Sequence, residues 1–298
     1  MKILECVPNF SEGKDEKKVE GIVAEVRKIS GVKLLDYFSD PDHNRTMVTF
    51  IGEPGAVKQA ALQSSLKALE IIDMRTHRGE HPRIGAVDVV PFVPIGGLAM
   101  EEAVRTAHQF GREFGERGEV PVYFYGEAAT DPRRRKLADV RKGEFEGLKE
   151  KLSMPGWEPD AGVRIFNPRA GATVVGARRP LIAFNVNLGT QNLDLAKQVA
   201  KKIRESSGGI PSVQALGLEL KEKGMVQVSM NLVDYHRASI PKVVEFIRAE
   251  IAGTGVEIVE TELVGLLPRE ALEEVVRAYL KMPEFNSDQV IETHLLSA

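Results

Sequence analysis

Cysteine is almost absent from this chain. Cys6 is the only one in 298 residues, so no intramolecular disulfide can form, and the usage fits a reducing compartment. Cys6 lies inside the apolar run "ILECVP" and reads as a buried structural thiol rather than a nucleophile. Aromatic residues are also scarce, at 6%, and the single tryptophan, Trp157, reads as a packing residue. No apolar run approaches the ~20 residues that a membrane-spanning helix needs. Neither charge sign dominates: 40 Lys and Arg stand against 43 Asp and Glu, a net charge of −3. That balance excludes a general nucleic-acid or membrane-surface binder. The start "MK" runs straight into a strand-like segment and lacks the pattern of a signal peptide. These features place the chain in the cytoplasm.

What is present is an ordinary globular balance, 43% hydrophobic and 28% charged, with a rhythm that occurs twice. In the second half, "PLIAFNVNL" reads as a strand. The next segment, "NLDLAKQVAKKIRE", carries Leu195, Ala196, Val199, Ala200 and Ile203 on one helical face. "SVQALGLEL" and "MVQVSMNLV" are strands; in the latter Val226, Val228, Met230 and Leu232 alternate with polar residues. A helix opens at Ser239 and Pro241, "GVEIVETELVG" supplies a last strand, and Pro268 starts a closing helix. The order is β-α-β-β-α-β, the split βαβ pattern. The first half repeats it from "KILECVPN" to "VDVVPFVPI", then adds a helix over 99–117 and the strand "PVYFYG". The predicted fold class is therefore α/β (α+β), with two subdomains, 1–177 and 178–298, each a mixed sheet with helices on one face. The Gly- and Pro-rich segment 154–179 reads as a long functional loop at their junction.

The stretch "MRTHRGEHPRIGAVDVV" (74–90) holds His77, Glu80 and His81 in the order H-x-x-E-H, a written form of a zinc-hydrolase motif. Two histidines four apart share a metal only on a helix. Gly79 costs about 1 kcal/mol in a helix interior, and Pro82 pushes His81 toward extended geometry. The zinc reading therefore loses its geometric basis. A bland alternative is a solvated basic loop. Yet Arg75, His77, Arg78, His81 and Arg83 crowd nine positions just before a buried strand, which suits an anionic small substrate. His81, held extended by Pro82, is the candidate general acid/base.

Other signals are weaker. "HNRT" offers His43, Asn44 and Arg45 either to a ligand or to a simple turn. "DPRRRK" (131–136) reads as a solvated face. "GATVVGAR" does not match a nucleotide-binding fingerprint.

These segments together resemble the glutamate formiminotransferases: "ECVPNFSEG" at 5–13, "NRTMVTFIG" at 44–52, "HRGEHPRIGAVDVVPFVP" at 77–94, "PVYFYGEAA" at 121–129 and "GATVVGARRPLIAFNVNL" at 171–188. The resemblance covers the transferase portion of the enzyme that animals fuse to a cyclodeaminase. It implies transfer of a formimino group from N-formimino-L-glutamate to N5 of tetrahydrofolate in histidine degradation. It further implies a substrate channel between two α/β sheets, a homodimer, and no metal. The catalytic histidine of the "GEHPR" block falls on His81. The folate-binding segment falls on Gly162, Val163, Arg164, Ile165, Phe166, Asn167, Pro168, Arg169, Ala170 and Gly171. Animal members carry a Trp just before that last glycine. Ala170 stands there in this chain, which calls into question any stacking on the pterin or benzoyl ring at that position. Both substrates carry carboxylates, and charge and position make Arg45, Arg78 and Arg83 candidates to orient them. The competing readings are formyl transfer from N-formylglutamate, a hydrolase of N-formimino or N-formyl amino acids, a metal-dependent hydrolase using His77, Glu80 and His81, and a folate-binding regulatory module without turnover.

Overall fold

A computed structural model describes residues 2–79 and 81–295. The chain divides into two compact units, Met1–Arg178 and Arg179–Ala298. Among the described residues, no helix is long and apolar enough to cross a membrane.

The first unit runs β1 (Ile3–Cys6), β2 (Asn9–Phe10), α1 (Glu16–Arg27), β3 (Val32–Asp40), β4 (Arg45–Gly52), α2 (Pro54–Ile71), β5 (Val87–Ile95), α3 (Met100–Arg117), β6 (Val122–Gly126), α4 (Leu137–Arg141), α5 (Leu148–Lys151) and β7 (Thr173–Ala177). Sequence chemistry sets the ends and faces of these helices. Asp15 caps α1 by accepting from the backbone N–H of Lys17 and Lys18, and Val19, Ile22, Val23 and Val26 form its buried stripe. β1 and β2 share one lane of the sheet, because both pair antiparallel with β4 on one side and β5 on the other. β3 flanks β4, while β7 and then β6 extend the sheet beyond β5 in parallel. Among the described residues this makes one mixed seven-stranded sheet.

One face of that sheet carries the main core. Phe92, Phe124, Val175 and Ala177 of the sheet meet the buried stripes of α1, α2 and α3 there, Phe110 and Phe114 of α3 included. The opposite face is covered too. Tyr123, Tyr125 and Val174 alternate to that side and pack with Val140, Leu148 and Leu152 of α4 and α5. The expectation of helices on one face only therefore fails in this unit. α4 and α5 are too short to show a helical period in sequence. β7 is likewise a strand inside the segment read as loop, since five residues ending in Gly-Ala give little pattern.

The second unit runs β8 (Ile182–Leu188), α6 (Leu193–Ile203), β9 (Val213–Leu220), β10 (Met225–Leu232), α7 (Ile240–Glu250), β11 (Ile258–Val264), α8 (Arg269–Leu280) and α9 (Ile291–Leu295). Its sheet has the order β11-β8-β10-β9. All three pairings are antiparallel, so this sheet is not mixed as expected. A split βαβ order places each strand beside one of opposite direction. The same order, fourth-first-third-second, recurs in the first unit as β5-β1-β4-β3, so the repeat read from the sequence is present in the strand pairing. Val199, Ile203, Val228, Leu232, Val243 and Ile247 are among the residues of this unit's own core.

Candidate active site

The loop joining α2 to β5 holds the histidines, and its backbone is pinned from two sides. Asn44 stands in the left-handed region, with φ 48°. Its side chain accepts from the Gly13 N–H at 2.9 Å and donates to the Arg78 carbonyl at 2.8 Å. Asn44 thus ties three separate segments together. On the other side, Ala86 N–H donates to the Ala170 carbonyl and Ala172 N–H to the Ile84 carbonyl, at 2.8 and 2.9 Å. Gly85 faces Gly171 across this bridge. A Cβ on Gly85 would lie 2.2 Å from the Ala172 oxygen, so backbone meets backbone with no side chain between. The "GEHPRIG" and "NPRAGAT" blocks are therefore one structural piece.

His77 and His81 have different surroundings. Residues 77–79 and 81 belong to no helix, as Gly79 and Pro82 predicted. His77 is buried. Its Nε2–H donates to the Asn44 carbonyl at 3.0 Å, and its Nδ1 accepts from Nε of Arg83 at 3.3 Å. Burial holds its pKa below the ordinary value, and the neighbouring Arg83 charge adds to the shift. Both ring nitrogens thus serve the loop. Glu80, the carboxylate of the H-x-x-E-H order, lies outside the described residues. Among the described residues no group of three or more His, Cys, Asp or Glu is placed to hold a metal ion.

His81 is partly buried, and its Nε2 accepts a hydrogen bond from Nη1 of Arg45 at the start of β4. His43 lies edge-on to it, with ring centroids 6.1 Å apart. Burial pushes the imidazole pKa down to about 3, and the charges of Arg45, Arg141 and His43 act in the same direction. The ring is therefore neutral at pH 7. Nδ1 then carries the hydrogen, and it is buried without a hydrogen-bond partner among the described residues. The Pro82 carbonyl is close enough to oppose the shift weakly. An anionic group entering among these cations would lift the pKa back toward neutrality.

The three arginines named from sequence separate. Arg45 meets His81 directly. Arg83 is buried, and its fork grips Glu146 at 2.7 and 2.8 Å and Glu144 at 3.2 Å. Arg78 is exposed and donates to the His77 carbonyl at 2.7 Å. Arg78, Gly79, Arg83, Gly143, Glu144 and Glu146 line a recess of about 450 Å³. A larger hollow of about 770 Å³, beside α1 and β3, includes none of the candidate site residues.

Sequence reading missed Arg141 and Asp88. Arg141 ends α4, a five-residue helix with no readable period, and its Nη2 donates to Oδ2 of Asp88. Asp88 did leave a signal: it is the lone charge inside the apolar strand "VDVVPFVPI". It is buried, and its Oδ1 accepts from the Ile84 N–H at 3.0 Å. In the run 131–136, Pro132, Arg133, Arg135 and Lys136 are exposed as expected of a solvated face, and Arg134 is the exception. Arg134 is buried against Asp160 and stacks over the rings of Tyr123 and Trp157. Trp157 packs as expected, with Lys151 also over its ring.

Segment 162–171 runs between two glycines of positive φ, Gly162 and Gly171. Ile165 within it is 71% exposed. Phe166 lies against Phe145, centroids 5.6 Å apart, and Phe145 N–H donates to the Arg83 carbonyl at 2.8 Å. Arg164 pairs with Glu158 at 3.3 Å, and Arg169 donates to the Glu70 carbonyl. Ala170 is buried in the main core, so its role here is through its backbone carbonyl.

Comparison with known proteins accounts for these blocks. Residues 3–178 match the model of the formiminotransferase domain, N-terminal subdomain, and residues 183–295 match the formiminotransferase domain. A glutamate formimidoyltransferase of Streptococcus pyogenes is 45% identical over 296 residues, covering 99% of both chains. Another from Thermoplasma acidophilum is 44% identical over 300 residues, covering all of this chain and 99% of the relative. The formimidoyltransferase-cyclodeaminase of Rattus norvegicus is 43% identical over 283 residues, and the match spans 93% of this chain but 52% of that protein. The chain belongs to the formiminotransferase family.

Proposed function

We propose that the chain is a glutamate formimidoyltransferase, which moves the formimino group of N-formimino-L-glutamate to N5 of tetrahydrofolate and releases L-glutamate. The observation that carries this is a neutral imidazole, His81, set against a guanidinium on a loop fused by backbone hydrogen bonds to segment 162–171. Tetrahydrofolate fits that segment as co-substrate: the exposed Ile165 offers apolar surface, and Arg164 and Arg169 flank it for an acidic tail. Arg45 and the recess arginines Arg78 and Arg83 orient the carboxylates of the two substrates in this reading. Arg83 does so by exchanging its hold on Glu144 and Glu146.

As N5 attacks the amidine carbon, the N5 proton passes to Nε2 of His81, whose neutral ring can accept it once Arg45 turns its hydrogen bond to a substrate carboxylate. The bond from that carbon to the glutamate nitrogen then breaks, and the imidazolium returns the proton to the departing nitrogen. His81 ends as it began, and no further reactant is consumed. The reading extends to a homodimer in the cytoplasm, whose subunit number light scattering would give.

A donor panel tests the function. N-formimino-L-glutamate with tetrahydrofolate should give 5-formiminotetrahydrofolate, followed spectroscopically, and omission of tetrahydrofolate should abolish turnover. Turnover without folate would instead identify a hydrolase, and preference for N-formyl-L-glutamate a formyltransferase. Folinic acid at about 100 Kd should stabilise the protein by roughly 2.7 kcal/mol. No change in melting temperature at saturation would remove the folate assignment.

A further inference from the structure

We propose that Arg141, held by Asp88, is the second guanidinium of a carboxylate seat beside His81, where with Arg45 it orients the glutamate moiety of a substrate. This rests on the transferase reading given above. Asp88 fixes two things at once, because one oxygen holds Arg141 and the other holds the backbone N–H of Ile84, three residues beyond His81. The arginine and the end of the histidine loop are thereby locked to a single carboxylate that is 1% exposed.

The hydrogen-bond inventory separates this arginine from Arg83. Arg83 has three contacts to carboxylate oxygens and a fourth to His77. Among the described residues Arg141 makes one hydrogen bond, from Nη2 to Asp88, and its Nε is buried with no partner. Nδ1 of His81 is orphaned in the same way. Buried polar atoms are nearly always hydrogen-bonded. Arg141 is near enough for its charge to help lower the imidazole pKa, and two orphans so placed mark a place that ligand atoms complete. Burial and the nearby charge of Arg141 hold the Arg45 pKa below its ordinary value, so an anion between the two guanidinium groups is welcome. A planar carboxylate suits two guanidinium groups. It also gives Arg45 a better acceptor than the imidazole, which uncovers the Nε2 lone pair that the transfer uses.

The glutamate moiety of the donor and the glutamate tail of the folate present the same chemistry, and separate measurements tell them apart. Arg141→Met should raise KM for one of the two substrates by about 10–100-fold, the scale of a charge-assisted hydrogen bond, with a smaller change in kcat. The substrate affected identifies which glutamate is seated. Arg141→Lys should recover part of the loss, since it keeps the charge but not the fork. Asp88→Asn keeps an acceptor for Ile84 N–H while releasing Arg141, and it should reproduce the KM change if the methionine variant fails to fold. The charges bearing on His81 come from His43, Arg45 and Arg141. In the wild type the acid limb of kcat should therefore lie at higher pH than that of kcat/KM, and Arg141→Met should narrow the gap. Calorimetric binding of L-glutamate and of folinic acid reads the seat without turnover, so an inactive wild type would sink the transferase reading and still leave this one decided. Folded Arg141→Met that binds both ligands within twofold of wild type overturns it.

Discussion

His77 and His81 stand four residues apart, and their partners give them different work. His77 donates to one backbone carbonyl and accepts from one arginine, so replacing it strands both. His77→Ala should cost about 1–3 kcal/mol in urea unfolding, the range for an orphaned buried partner, with kcat changed little. His81→Ala should lose at least about a hundredfold in kcat, the lower scale of general acid–base catalysis. Equal loss of kcat at both positions would defeat this division. The depressed pKa values also have a sign. Below the ordinary histidine value of 6.5 the unfolded chain binds protons that the folded chain refuses, so stability falls as pH drops from there toward about 3, the His81 value. His81→Asn should flatten that acid limb in a pH series of melts. The non-helical backbone at His77 and His81 was legible because a Gly and a Pro disfavour a helix there. The pairing of Arg141 with Asp88 was not, since only tertiary packing brings α4 to that strand.

At the scale of elements, long periodic segments were easy to read and short ones were not. β4 and β5 lie where their alternating and apolar runs begin and end. β7 and the helices α4 and α5 gain their order from packing on β6, which no local pattern announces. α3 hides a different constraint. Gly115 lies in the last turn of α3, still within the helix, where alanine would ordinarily gain up to about 1 kcal/mol. A Cβ there would stand 2.8 Å from Cα and 2.9 Å from N of Gly162, whose φ of +75° is itself glycine territory. Backbone cannot yield as a side chain can. Gly115→Ala should therefore lower the melting temperature despite its helix propensity, and weaken folinic acid binding by displacing the start of segment 162–171. A raised melting temperature with unchanged binding would show that the contact is slack.

For the molecule as a whole, the repeated strand order was visible in the succession of hydrophobic patterns, whereas the parallel extension through β7 was not. Each unit closes a hydrophobic core of its own, with Phe50, Phe92 and Phe110 in one and Val186, Val228 and Ile247 in the other. Fragments 1–178 and 179–298 should each unfold cooperatively when expressed alone, as followed by circular dichroism in urea. A fragment that stays unfolded would mean that its core is incomplete.

The meeting of Gly85 with Gly171 has a thermodynamic consequence. Two strips of main chain joined by 2.8 and 2.9 Å hydrogen bonds cannot be ordered independently. On the proposed seating of folate on segment 162–171, ordering that segment also orders the loop that carries His81, so the second substrate meets a loop already stilled. Affinities for the two substrates are then linked by one coupling free energy, equal in both directions whichever binds first.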